Sequence, residues 1–272
     1  MPEIGSEYER LTKAAEAFWY HTIDLGDGIV TRGFFDLRPM LPKLPIPERL
    51  DGLRCLDVGT ADGFFAFEMA KRGAAEVVAT DLADARQRDW PPRAINAKTV
   101  ADDGSRARFE LARSRSGLDV TWVDSNVYRI HEQGLGQFDF VVMGNILLHL
   151  RDPIAALASV RGVVAGHLLS LEPISPSLTL LFPRTPTARF QGIAEPYWWT
   201  LNVTGHRHAI NAAGFHLDDP GSMIRMPFGE GAAEAVYGGT AFWSRGYHRA
   251  RYRFGHPCTW ALASADEQCA LN

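Results

Sequence analysis

Between residues 54 and 173 short apolar runs alternate with helical patterns, and this alternation constrains the chain more than any other feature. "RCLDVG" reads as a buried strand and "ADGFFAFEMAKRG" as a helix closed by Gly73. "EVVATDL" is a second strand, "VTWVDSNV" a third and "FDFVVMGN" a fourth. "ILLHLRDPIAALASVRGVV" is mostly helical with a restart at Asp152-Pro153, and "GHLLSLEPI" is a fifth strand. Parallel strands need a crossover between them, usually a helix. The pattern therefore predicts an α/β fold whose sheet is mainly parallel and covered on both faces.

The flanks are less regular. Residues 7 to 20 place Tyr8, Leu11, Ala15 and Phe18 at helical spacing. "TIDLGDGIVTRG" puts a Gly-Asp-Gly turn between β-prone pieces. Prolines 39, 42, 45 and 47 rule out a helix or central strand, so this stretch reads as a linker ending an N-terminal unit of residues 1–50. Residues 83–118 are polar and helix-prone but broken by Pro91 and Pro92. Residues 173–200 read as an irregular insert. "TGHRHAINAAGFH" reads as a helix ended by Gly214. "SMIRMPF" and "AVYGGTAFWSRG" read as a final antiparallel pair, which extends the main unit over 51–246 and leaves 247–272 as a basic, aromatic tail.

Composition limits the function classes. The formal net charge of −4 gives no global field toward nucleic acid. No basic n-region precedes an apolar stretch at the start, and no run approaches the roughly 20 apolar residues of a membrane helix, so a cytoplasmic setting without membrane contact is expected. Cys55, Cys258 and Cys269 form neither metal spacing nor an even framework, and no metal site is expected.

Ligands of open α/β sheets sit outside the carboxyl ends of the strands. The turn Asp57–Gly63 after the first strand is thus the first place to look. A dinucleotide would want Gly-x-Gly-x-x-Gly, but the positions are Gly59, Ala61 and Phe64, and Asp62 would repel a pyrophosphate. A close-packed, locally cationic ligand fits instead, and S-adenosylmethionine has that chemistry. Asp57 would face its amino acid end and Asp81 its ribose hydroxyls. Asp124 and Ser125 would read the adenine amino group, and Asn145 would lie near the reacting methyl. Thr60, Ala61 and Leu82 complete this expected cofactor set with the two glycines.

These motifs, "LDVGTADGFFAFEMAKRGAAEVVATDL", "FDFVVMGNILLHLRDP" and "YWW…HAINAAGF", resemble the class I S-adenosylmethionine-dependent methyltransferases. Within that class the chain is similar to the bacterial tRNA wobble-uridine 5-oxyacetic acid methyltransferase-like family over roughly residues 18–216, helped by "FWYHTIDLGDGIVTRGFFDLRP". The resemblance implies a Rossmann-like, doubly wound, seven-stranded sheet with an N-terminal helical and hairpin lid and an insert after strand five. The tRNA enzyme of that family uses carboxy-S-adenosylmethionine, its extra carboxylate held by a lysine and a tyrosine. Here Arg32 falls at the lysine position and Leu148 at the tyrosine position. Arginine can bind a carboxylate but leucine cannot, which favours plain S-adenosylmethionine over the carboxylated form.

Methyl transfer to oxygen or nitrogen often needs a base, and His149 is the first candidate by position, with His21 second. Packing roles suit both histidines equally well. Arg32, Tyr197, Trp198 and Trp199 are the expected acceptor contacts. The leading expectation is transfer to a small-molecule acceptor. The rivals are tRNA, favoured only by the arginine-aromatic stretch 243–256, and a non-catalytic cofactor-binding protein. A nicotinamide dehydrogenase is disfavoured by Asp62 and the missing glycines.

Overall fold

The computed structural model describes residues 4–94, 104–193, 196–232 and 253–266. The chain opens with helix α1 (Ile4–Glu16) and two short strands, β1 (Trp19–His21) and β2 (Gly33–Phe35). The α/β body follows as β3 (Arg54–Val58), α2 (Phe64–Lys71), β4 (Glu76–Asp81), α3 (Ser105–Ser116), β5 (Thr121–Asp124), β6 (Phe138–Gly144), α4 (Pro153–Arg161) and β7 (Val164–Pro173). Beyond it lie α5 (Pro176–Leu181), β8 (Ala188–Phe190), β9 (Trp199–Leu201), α6 (Val203–Ala212), β10 (Phe215–Asp219), β11 (Met223–Met226) and β12 (His256–Ala265).

The main sheet runs β10-β12-β7-β6-β3-β4-β5, with β11 paired to β12 as an eighth strand. Strands β3 to β7 pair in parallel, and β12 runs antiparallel to β7 and β10. This is the doubly wound sheet the alternation predicts. Its inner strands are apolar throughout because alternate residues serve different cores. Cys55, Val77, Val142 and Leu169 face one cluster with Phe67 of α2 and Phe109 of α3, whereas Leu56, Val78, Val141 and Leu168 face another with Leu157 of α4 and Ile210 of α6. Helix α4 begins where Asp152-Pro153 predicts, with the Asp152 carboxylate accepting from Ala155 N–H at 2.9 Å.

Four assignments are corrected. The proline-rich stretch is no free linker: it forms a 3-10 turn over Arg38–Lys43 and buries Leu37, Met40, Leu44 and Ile46. Prolines bar regular ladders but not packing of the residues between them. The insert is more regular than its composition suggests, holding α5 and the antiparallel pair β8–β9. Strand β11 does form within "SMIRMPF", but its partner is β12. The notional partner "AVYGGTAFWSRG" lies outside the described residues, as does most of the arginine-aromatic stretch. The end of the presumed tail, "HPCTWALASA", is β12 itself, wedged between β7 and β10. Its run of buried residues belongs to an internal strand.

The hairpin around Gly-Asp-Gly is present, closed by Leu25 N–H to Ile29 O at 2.9 Å and Thr31 N–H to Ile23 O at 2.9 Å. Trp19 is buried, and its indole N–H donates to Ala14 O at 2.8 Å, locking the end of α1 to β1. Among the described residues no helix is long and apolar enough to cross a membrane.

Candidate active site

A cleft opens at the carboxyl ends of β3, β4, β5 and β6. Its floor includes Gly59 and Ala61 of the glycine turn, Asp81 and Leu82 after β4, Ser125 after β5, and Asn145 after β6. Gly59 (φ 73°) and Ala61 (φ 51°) hold the turn in the left-handed region. A Cβ on Gly59 would come within 2.7 Å of Ile146 Cδ1, so the glycine also lets the β6 loop pack onto the turn. Gly59→Ala is therefore expected to lower stability by about 1–3 kcal/mol, from strain plus overpacking, measured by urea unfolding.

Asp81 shapes this floor. One carboxylate oxygen accepts from Ala61 N–H at 2.9 Å and the other from Leu82 N–H at 2.7 Å. The Ser125 hydroxyl and the Asn145 side-chain oxygen are buried without a hydrogen-bond partner among the described residues. Buried polar atoms are rarely left so. Both residues line the cleft, so a bound group with donors or acceptors of its own would complete them. These atoms, with the Asp81 carboxylate, match the polar groups of an adenosyl ligand.

Several expected cofactor residues are placed elsewhere. Asp57 lies beneath the turn, accepting from the Thr60 hydroxyl at 2.7 Å and Ala66 N–H at 3.1 Å. It braces the start of α2, and burial pushes its carboxyl up to about 6, against the opposing pull of the Thr60 bond. Thr60 is consumed in that brace. Gly63 is needed for packing, because a Cβ there would meet Phe67 and Phe109 at 2.4 and 2.8 Å. Asp124 accepts from Ala83 N–H at 3.0 Å and does not line the cleft.

The acceptor and base candidates divide as well. Arg32 is half-exposed beside Glu230, 3.8 Å away, and is not part of the cleft lining. His21 is buried on Asp62, with its Nδ1 2.5 Å from the carboxylate, and does not line the cleft. The same carboxylate accepts from Tyr20 N–H at 2.7 Å and His21 N–H at 3.1 Å. Asp62, expected to repel a phosphate, instead anchors the N-terminal segment to the glycine turn. That anchorage brings Phe18 and Tyr20 to the cleft, where both line its wall.

His149 does line the cleft. Its Nδ1 is 2.6 Å from Pro196 O, and a carbonyl only accepts, so Nδ1 carries the proton and Nε2 is left as the basic nitrogen. Burial lowers its pKa, assisted by the nearby Arg88 guanidinium and opposed by the Pro196 bond. Tyr197 and Trp199 are not in the lining. Trp198 acts one layer behind it, donating from its indole to Asp89 O at 2.6 Å.

Asp89 went unnoticed in the sequence, and it organises the roof. Its carboxylate accepts from Tyr128 OH at 2.5 Å and from Arg151 N–H at 2.9 Å. Burial and this carboxylate raise the Tyr128 pKa, keeping the phenol protonated. Gln87, Arg88, Asp89, Trp90 and Tyr128 all face the cleft. Gln87 to Trp90 come from the polar stretch after β4 and Tyr128 from the 3-10 turn Val127–Glu132 after β5, and neither carries a motif that singles them out in the sequence. Among the described residues no cluster of three or more His, Cys, Asp or Glu side chains is placed to hold a metal ion.

Fold and site together define an α/β protein with a cleft at the switch point of its sheet. A family model described as a methyltransferase domain matches residues 32–217, well over half of the chain, and the chain belongs to that family. It is thereby an S-adenosylmethionine-dependent methyltransferase. Among solved structures, the N-terminal domain of EvdMO1 with S-adenosylhomocysteine bound is similar over 97% of both chains, with a TM-score of 0.56 at 15% identity. A Burkholderia thailandensis 1,6-didemethyltoxoflavin-N1-methyltransferase, bound to 1,6-didemethyltoxoflavin and S-adenosylhomocysteine, is similar over 80% of this chain and 72% of its own, with a TM-score of 0.50 at 15% identity. At such identities the likeness is one of fold. No curated protein matches the sequence.

Proposed function

We propose that the protein transfers a methyl group from S-adenosylmethionine to an oxygen or nitrogen of a small-molecule acceptor, with His149 as general base. The observation that carries this is the tautomer of His149: Nδ1 is tied to Pro196 O, which leaves Nε2 free to take a proton in a cleft that also holds Asp81, Ser125 and Asn145. When bound, the cofactor supplies a methyl carbon on a cationic sulfur. Asp81 accepts from the ribose hydroxyls, and Ser125 and Asn145 complete their hydrogen bonding. Phe18 and Tyr20 line the cleft beside the glycine turn and give the ligand an apolar wall. His149 Nε2 takes the acceptor's proton as its oxygen or nitrogen forms the new bond to carbon and the carbon–sulfur bond breaks.

The apolar and aromatic residues of the cleft, Phe18, Tyr20, Trp90 and Ile146 among them, favour a small acceptor. The segment 87–90 meets the insert over the cleft through Trp198 and Asp89, and Arg93 N–H donates to Ile193 O at 3.0 Å. The wobble-uridine reading asks for Arg32 at the cofactor, and Arg32 stands beside Glu230 instead. The carboxylated cofactor loses its second partner too, because Leu148 cannot donate from its side chain.

His149→Gln is expected to lower turnover by about 10²–10⁴-fold with cofactor affinity unchanged. The check is S-adenosylhomocysteine release with a panel of phenolic, sugar and N-heterocyclic acceptors, beside calorimetric binding of S-adenosylmethionine. Because the His149 pKa is lowered, the acid limb of the wild-type rate should lie below the ordinary histidine range near 6.5 and should vanish in the variant. A variant that keeps its rate removes the base assignment. Cofactor binding without turnover on any acceptor would favour the non-catalytic rival.

A further inference from the structure

Glu172, in β7, is only 1% exposed and lies among the buried residues of that strand. Its Oε1 accepts two backbone hydrogen bonds from another part of the chain, Ile146 N–H at 2.9 Å and Leu147 N–H at 2.7 Å. These amides open the 3-10 turn Leu147–His149, whose N-cap residue, Ile146, provides no side-chain cap. Amides at the start of such a turn have no partner within it. Ile146 and Leu147 have apolar side chains, and the side-chain oxygen of Asn145 just before the turn accepts no hydrogen bond from these amides. Glu172 does so from the adjacent strand, one residue beyond the Gly144–Leu171 pairing.

The residue before the capped turn is held in a demanding backbone conformation. Asn145 sits just before it at φ 56°, in the left-handed region, with its N–H donating to Leu171 O at 2.7 Å. Its side-chain amide donates to Met226 Sδ at 3.1 Å, which leaves the side-chain oxygen as the unsatisfied atom. Ile146 packs on the glycine turn, and His149 closes the 3-10 turn through its N–H to Ile146 O at 2.9 Å. One loop thus carries Asn145 beside the cofactor turn and His149 beside the acceptor space.

We propose that Glu172 is a positioning residue for methyl transfer, capping from β7 the turn that sets Asn145 and His149 against the glycine turn. The inference rests on the methyltransferase reading above. Burial pushes the Glu172 carboxyl up to about 8, opposed by the backbone bonds it accepts, so at neutral pH it is largely the neutral acid. A neutral acid still presents one oxygen that accepts both amides, and glutamine presents the same oxygen.

The test compares wild type, Glu172→Gln and Glu172→Ala by calorimetry with S-adenosylmethionine and by NMR titration of the His149 imidazole. Glu172→Gln should match wild type in both. Glu172→Ala should weaken cofactor binding by about tenfold and move the His149 titration up toward its ordinary range, as the turn relaxes into water. A folded Glu172→Ala that binds as wild type with an unmoved His149 titration overturns the proposal. Should that variant not fold, amide hydrogen exchange in the wild type decides: slow exchange at Ile146 and Leu147 supports the cap, and fast exchange overturns it. Failure of the wild type to bind S-adenosylmethionine would refute the methyltransferase reading, while the exchange and titration results would still report on the cap.

Discussion

Asp81→Ala is expected to raise the dissociation constant for S-adenosylmethionine by about 10²–10⁴-fold. The proposed contact is a carboxylate accepting from two ribose hydroxyls, and hydrogen bonds to a charged group contribute roughly 1.5–3 kcal/mol each. The carboxylate also holds the turn that presents the ligand, through Ala61 N–H and Leu82 N–H. Alanine removes both effects together, so the loss should lie at the high end. Asp81→Asn keeps an acceptor and the volume but not the charge, and should lose about tenfold. Calorimetry with S-adenosylmethionine and S-adenosylhomocysteine measures both variants. Arg88 lies 3.9 Å from the same carboxylate, so Arg88→Met serves to separate the charge of the pair from the hydrogen bonds. Undiminished affinity in Asp81→Ala would remove the ribose assignment.

Asp62→Ala should be the most destabilising change on the cofactor turn. Its carboxylate is fully buried and is shared by two backbone N–H groups and the His21 ring, with the Arg108 guanidinium 3.9 Å away. Removing it leaves those donors buried without an acceptor, and breaking a buried pair in this way costs about 3–5 kcal/mol. Net stabilities are roughly 5–15 kcal/mol, so the loss is a large fraction of the whole. It should be directional as well. The segment carrying Phe18 and Tyr20 should loosen first, since Asp62 ties it to the turn. Urea unfolding measures the magnitude. Limited proteolysis gives the location, with early cleavage before residue 36 expected. His21→Asn should loosen the same segment less, because the backbone bonds to Asp62 survive. An unchanged urea midpoint in Asp62→Ala would show that the anchor is not needed.

Much of the body was legible because local chemistry and global fold agree there. Strands buried on both faces must be apolar throughout, and crossover helices must lie between them, so β3 to β7 and α4 could be read from patterning alone. The order of Gly59, Asp81 and Asn145 along the chain was likewise enough to locate a cleft, since parallel strands bring their carboxyl ends to one edge. Strand β12 was missed because its pairing crosses the sheet: a ten-residue run among arginines and aromatics reads as a tail until β7 and β10 flank it.

The amino-acid sequence by itself determined the α/β class, the glycine turn at the cleft and the residue types along its floor, because each depends on neighbours within a few positions. Tertiary structure alone decided which polar side chains face the cleft and which support the frame. Asp57 at the end of β3 and Asp62 on the turn that follows stand five residues apart, yet one braces α2 and the other holds a segment 41 and 42 residues away in sequence. His21 and His149 are both histidines near the cleft, but a buried carboxylate holds the first and a carbonyl sets the tautomer of the second. Whether a polar side chain is spent on a buried amide or left open to a ligand depends on which distant donors reach it, and the closure of the chain in three dimensions sets those partners.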